Sequence, residues 1–282
     1  MKTTPPLDLE LKDGSSIAVI GGGPSGSFFS YFALDFAKRF DLEISLDIYE
    51  PKNFTKVGAG GCNHCGGIVS ESLMQKLSTD GIVLPSKIIR RGIETYTLHV
   101  EQGNTVIKTP KEEQRIASVY RGAGPKGCIN SSQESFDNHL LELCEKSGAQ
   151  IIHDKVTEGV RVDDGIILKS KSIGEKKYDL VVGAAGLNNK TLEIFKTICP
   201  GFVPPKVTRT YISEFFLERD NVDSHFGNSM HVFLLNIPNI TFGALIPKGK
   251  YVTMVLLGKE IDKDVVAKFI ESEQVKGCFS KD

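Results

Sequence analysis

The sequence predicts an α/β fold in which a parallel βαβ unit is joined to a domain of antiparallel sheet. Three observations predict it. Residues 17–20 form a short apolar run that ends in glycine. Apolar residues at helical spacing follow directly, at Phe28, Phe29, Phe32, Ala33 and Phe36. The last third of the chain carries four strand candidates separated by turn residues.

The elements read in order as follows. Residues 17–20 predict a buried parallel strand, 26–40 a helix with the phenylalanines as its core face, and 44–49 a second strand. Residues 51–69 predict a glycine-rich loop, and 70–77 a short helix. Residues 92–109 predict two extended segments turning at Gly103-Asn104. Residues 133–147 have helical spacing through Phe136, Leu140, Leu141 and Cys144, with Gly148 as the stop. A strand starts at Ile151, a hairpin turns at Asp163-Asp164-Gly165, and residues 178–182 predict a buried strand stopped by Gly183. Strands at 207–217, 231–235, 240–246 and 251–257, with a turn at 247–250, predict an antiparallel sheet closed by a helix over 262–273. The expected domains are a nucleotide domain over 15–190, discontinuous and with inserted strands near 92–109, and an antiparallel-sheet substrate domain over 191–282.

At 282 residues the chain can bury a substantial core without disulfides. Lys plus Arg number 34 against 35 Asp plus Glu, and this balance argues against nucleic acid as a partner. No run approaches a membrane span, and the N-terminus lacks the pattern of a signal peptide, so a cytoplasmic location is expected. Of six cysteines only Cys62 and Cys65 are close, which is not the framework of a small secreted protein.

Gly21-Gly22-Gly23-Pro24-Ser25-Gly26 fits G-x-G-x-x-G between a predicted strand and helix, the context a Rossmann-like dinucleotide site requires. Gly21 permits the turn, Gly23 admits a pyrophosphate, Gly26 lets helix and strand pack, and the helix N-terminus faces the phosphate charge. Glu50 closes the second strand, where a carboxylate accepts from ribose hydroxyls and repels a 2′-phosphate. That favours FAD or NAD over NADP.

With Tyr49-Glu50-Pro51-Lys52, this motif resembles the FAD site of the geranylgeranyl reductase and aromatic hydroxylase (p-hydroxybenzoate hydroxylase-like) group of flavoproteins. Two later stretches are similar to the same group. Residues 118–121 followed by Ser135-Phe136-Asp137-Asn138-His139-Leu140 resemble its arginine strand and helix. Tyr178-Asp179-Leu180-Val181-Val182-Gly183-Ala184-Ala185-Gly186 resembles its second flavin motif, with Ala185 where the group has Asp. The resemblance implies FAD contacts from Pro51, Arg121, the backbone near Val156, Ala184 and Gly186, with a surface salt bridge as the alternative for Arg121. The group's later Gly-Asp flavin segment has no counterpart after Gly258, so a C-terminally truncated member is expected.

The Cys65-Gly66-Gly67-Ile68 stretch resembles the loop that the reductases place beside the flavin ring, which implies that Gly66 and Gly67 border the cofactor and that Cys65, with Cys62, borders the substrate cavity. A redox pair of Cys62 and Cys65 and inert packing cysteines are the alternatives. A second close cysteine pair is absent, which argues against a four-cysteine zinc site, and no metal site is expected. His64 is a further proton-donor candidate or a solvated loop residue. Residues 244–258 resemble a substrate-domain hairpin, so a small apolar or aromatic substrate is expected, with membrane-surface contact left open. The implied activity is an oxidoreductase: a reductase of carbon–carbon double bonds with NAD(P)H as transient donor, an aromatic monooxygenase, or an inactive flavin-binding fragment.

Overall fold

The computed structural model describes residues 10–61, 65–108, 116–128 and 134–279, without the side chains of Asn189 and Arg209. The chain divides into two compact units. Met1–Asn53 with Asp137–Pro205 form the first, and Phe54–Phe136 with Lys206–Asp282 form the second. This division differs from the expected one. Residues 54–136 join the C-terminal part because their strands hydrogen-bond to strands of residues 206–282.

In the first unit, β1 (Ser16–Ile20) pairs in parallel with β2 (Ser45–Tyr49). Helix α1 (Pro24–Arg39) connects them, as the Rossmann-like pattern requires. In the four-stranded sheet, β1 also pairs in parallel with a strand at Leu180–Gly183, and β2 pairs in parallel with one at Gln150–Ile152. The α1 packing corrects an expectation. Its buried residues are Gly26, Ser27, Ser30 and Ala37, small enough to bring the helix close to its neighbours. Phe29, Phe32, Phe36 and Phe40 instead line an open apolar pocket of about 580 Å³ with Leu42 and Leu180, Phe36 and Phe40 being exposed.

Gly148 ends the helix at Phe136–Lys146 in a left-handed conformation, φ 109°. A three-stranded antiparallel sheet follows, at Val156–Val162, Gly165–Ser170 and Gly174–Tyr178. The expected strand at 178–182 is therefore two strands. Tyr178 ends an antiparallel edge strand whose polar sequence, GEKKY, hid it, and Leu180 starts the parallel one. A helix at Asn189–Ile198, not foreseen, lies over Gly159, where a Cβ would stand 2.6 Å from Ile198 Cδ1. Ala18, Ile20, Tyr49, Ile152, Val156, Leu168, Tyr178, Ile194 and Ile198 form this unit's core.

In the second unit, six strands form one sheet. In spatial order they are Arg209–Phe216, Tyr251–Gly258, Ile240–Lys248, Ser229–Phe233, Thr95–Val100 and Gly103–Lys108. Its pairs are antiparallel except Ser229–Phe233 with Thr95–Val100, which is parallel. The wholly antiparallel expectation is corrected there, because strands so distant in sequence need no hairpin. Val100 pairs with Gly103, so that hairpin turns at Glu101-Gln102 rather than at Gly103-Asn104. Likewise Pro247 and Lys248 remain in the strand, and the later turn lies at Gly249-Lys250. A smaller sheet joins Ile68–Val69, Ile116–Val119 and Ile89–Ile93. Ser70 caps the helix at Glu71–Thr79 by accepting from Leu73 N–H. Helices at Arg219–His225, Lys263–Glu271 and Glu273–Lys276 complete the unit, the first of them unforeseen. Its core includes Phe226, Phe233, Leu245, Val252, Met254, Leu256, Phe269 and Val275. No helix among the described residues is long and apolar enough to cross a membrane.

Candidate functional site

The turn between β1 and α1 cannot carry side chains at its key positions. Gly21 has φ 111°, and a Cβ there would stand 2.3 Å from the Ala184 carbonyl oxygen. A Cβ on Gly26 would stand 1.8 Å from the Gly21 carbonyl oxygen. These approaches fold the chain tightly at the end of β1 and bring Ala184 against the turn. Gly23 is the N-cap of α1, with no side-chain cap bond, Pro24 follows it, and the first turn holds no acidic residue. The first N–H groups of the helix therefore face outward toward an anion without competition from a side chain. Ser25 is exposed and Gly23 half-exposed, so the approach is open.

Glu50 is buried beside this turn. Its Oε2 accepts the Gly22 N–H at 2.8 Å and its Oε1 accepts the Lys52 N–H at 2.8 Å. The carboxylate thus braces the glycine turn, a role the sequence did not suggest. Two acceptor positions remain of the four a carboxylate offers, enough to take ribose hydroxyls. The turn therefore fits a dinucleotide pyrophosphate with an adjacent ribose. Gly186 is exposed with φ 58°, two residues beyond Ala184. Pro51 is exposed, while the Val156 side chain is in the core, leaving only its backbone for a ligand.

In the second unit, Gly66 and Gly67 lie against the large sheet. A Cβ on Gly66 would touch Ile246 and Val255. Gly67 has φ 63°, and a Cβ there would stand 2.1 Å from the Val119 carbonyl oxygen and 2.9 Å from Lys248 Nζ. Gly67 N–H points to Cys65 Sγ at 3.4 Å, and Cys65 is a half-buried free thiol. Cys62 and His64 lie outside the described residues. Arg121 is half-buried just beyond the Ile116–Val119 strand, its carbonyl accepting from the Ser135 hydroxyl.

Lys248 is the residue that sequence reasoning missed. It ends the Ile240–Lys248 strand and is 1% exposed, yet its Nζ has no hydrogen-bond partner among the described residues. The ammonium lies 4.8 Å from the Tyr120 ring centroid, and the Tyr120 hydroxyl is also buried without a partner. Burial pulls the Lys248 pKa down to about 8, and the charges of Glu214 and Cys65 oppose the fall. Burial pushes Glu214 up from the ordinary carboxylate range, against the pull of Lys248 and of the Thr253 hydroxyl bonded to it. Tyr120 is raised by burial foremost. An amine of lowered proton affinity beside the Gly66-Gly67 loop can hold or release a proton within this sheet. The signal in the sequence was a lysine inside an apolar strand, read there as a turn residue.

No family model matches the chain, and no curated protein sequence matches it. Solved structures do match its fold. A geranylgeranyl bacteriochlorophyll reductase-like protein from Thermoplasma acidophilum is 16% identical, with a TM-score of 0.68 over 94% of this chain and 64% of its own. The halogenase PltM, in complex with phloroglucinol and FAD, is 12% identical with a TM-score of 0.63, covering 95% of this chain and 58% of its own. The flavin-dependent brominase Bmp2 is 15% identical with a TM-score of 0.60, covering 89% and 57%. The chain therefore has the fold of this group of flavin-dependent proteins and spans less than two thirds of the length of each.

Proposed function

We propose that this chain binds FAD and belongs to an FAD-dependent oxidoreductase, a reductase of a carbon–carbon double bond in a small apolar, isoprenoid-like substrate. The observation that carries the reading is the glycine turn braced by Glu50, with the uncapped start of α1 beyond it. The N–H groups of Gly23, Ser25 and Gly26 hold the pyrophosphate, and Glu50 takes the ribose hydroxyls. Pro51, Arg121, Ala184, Gly186 and the backbone at Val156 supply further contacts, and Gly66 and Gly67 admit the flat ring. When bound, FAD supplies the two-electron chemistry, with NAD(P)H as a transient donor.

Reduction of a double bond places a hydride on one carbon and a proton on the other. The proton comes from this chain. Cys65, Cys62 and His64 are the donor candidates, and Lys248, buried beside Gly67 in the same unit as Cys65, is a further one. The apolar faces of the large sheet exclude water from a greasy substrate, which the protein takes from the cytoplasm or from a membrane surface. The alternative is oxygen-dependent chemistry on an aromatic ring, and the phloroglucinol bound to a halogenase of this fold favours keeping it in view.

The test is a visible spectrum of the purified chain after FAD is added and the excess removed. A retained flavin band that NADH or NADPH bleaches without air supports the reductase reading. Absence of a band overturns flavin binding by this chain. Oxygen consumption coupled to modification of an aromatic substrate moves the assignment to the alternative.

A further inference from the structure

Three buried side chains far from one another in sequence converge in the second unit. His99 lies on the Thr95–Val100 strand, His231 on the neighbouring Ser229–Phe233 strand, and Cys278 just beyond the helix at Glu273–Lys276. His99 Nε2 lies 2.9 Å from His231 Nδ1. Cys278 Sγ lies 3.3 Å from His231 Nδ1 and 3.8 Å from His99 Nε2. From these contacts we infer that His99, His231 and Cys278 form a site for a single thiophilic transition-metal ion, zinc foremost, which ties the C-terminal segment to the sheet.

The distances carry this reading. A tetrahedral zinc ion with ordinary bond lengths spaces two nitrogens by roughly 3.3 Å and a nitrogen and a sulfur by roughly 3.6 Å. The three donor atoms need to move only a few tenths of an ångström to meet those edges. The two rings face each other at 5.0 Å between centroids and 23° between planes, so both must turn for their lone pairs to converge on the ion, and their neighbours limit that motion. His99 stacks on Phe233 at 4.5 Å between centroids with an 11° tilt, and Phe226 meets His231 edge-on at 5.2 Å. Two imidazoles and a thiol suit zinc or copper(I), and lack the oxygens that calcium or magnesium requires. The Gln274 carbonyl oxygen, 3.3 Å from Sγ, or a water completes the coordination.

Without an ion, one proton bridges the two imidazoles and the thiol donates to Gln274. On binding, the bridging proton moves to a remote ring nitrogen and the thiol proton leaves to solvent, so the ion meets two neutral imidazoles and one thiolate.

The test uses the full chain, stripped with a chelator and titrated with zinc, then with cobalt(II) as the spectroscopic probe. One equivalent should bind, raise Tm, and give the cobalt spectrum a thiolate charge-transfer band. Cys278→Ser should remove that band, and His99→Gln should weaken zinc binding by roughly 100-fold or more. Circular dichroism checks that both variants are folded. Because Cys62, His64 and Cys65 offer rival donors, a Cys62→Ser/Cys65→Ser variant should keep both the stoichiometry and the band. A variant that loses them, no binding to the wild type, or a Cys278→Ser protein that retains the band would each overturn the site. If Cys278→Ser or His99→Gln does not fold, Cys278→Ala and His231→Gln repeat the test, and loss of the band in the folded variant is required.

Discussion

Lys248 Nζ lies 4.8 Å from the centroid of the Tyr120 ring, and neither Nζ nor the Tyr120 hydroxyl has a hydrogen-bond partner among the described residues. A buried ammonium in that setting makes stability depend on pH in a defined window. Burial takes Lys248 down to about 8 from 10.5. Between those values the unfolded chain keeps a proton that the folded chain has released, so stability rises with pH. Below pH 8 both states are protonated and the contribution is level. Urea unfolding of wild type and Lys248→Met from pH 7 to 10.5 should show the wild type gaining on the variant by on the order of 3 kcal/mol across the window. A constant difference would mean that Lys248 is not titrating there.

Gly26 admits no side chain. A Cβ would stand 1.8 Å from the Gly21 carbonyl oxygen, backbone against backbone, so the turn must open. Gly26→Ala should cost about 3 kcal/mol and abolish flavin retention. Gly60→Ala is the control, since nothing lies within 4 Å of a Cβ there. Equal melting temperatures and equal flavin occupancy for the two variants would contradict the packing.

Glu50 accepts two backbone N–H groups from a buried position. Glu50→Ala should lose about 2 kcal/mol, because Gly22 N–H is left without its acceptor. Glu50→Gln should recover only part of this, since one amide oxygen replaces two carboxylate oxygens and the NH₂ group opposes a donor. Denaturant midpoints measure both, and full recovery by Gln would show that only one of the two bonds matters.

Tyr178 links a buried network. Its hydroxyl donates to Asp47 Oδ2 at 2.5 Å, meets the Tyr49 hydroxyl at 2.7 Å, and shares Asp47 with Lys176 Nζ. Tyr178→Phe should cost about 2 kcal/mol and Tyr49→Phe about 1 kcal/mol. The double variant should cost less than the two together, because the first change already breaks the shared bond. Additive losses in a thermal-unfolding cycle would show the two hydroxyls to be independent.

The βαβ unit was legible in the sequence because all its determinants are local. The apolar run, the glycines and the helical spacing lie within a few tens of residues, and each acts through its own backbone conformation or through the next element. The hairpins were also legible, although two turns shifted by one or two residues, because a turn's register depends on the pairing of the strands beside it. The polar edge strand at Gly174–Tyr178 escaped because little in its sequence alternates.

The sequence by itself determined the parallel unit, the glycine turn and most strands of the large sheet, since near neighbours set backbone geometry. Tertiary structure alone decided that the phenylalanines of α1 line an open pocket while its small residues pack. It also turned the Glu50 carboxylate onto Gly22, buried Lys248 beside Gly67 and Tyr120, and gathered His99, His231 and Cys278. Those relationships join residues as far as 179 positions apart. Spacing along the chain carries no trace of them, because they arise only when strand pairing and burial bring distant side chains within hydrogen-bonding distance or van der Waals contact.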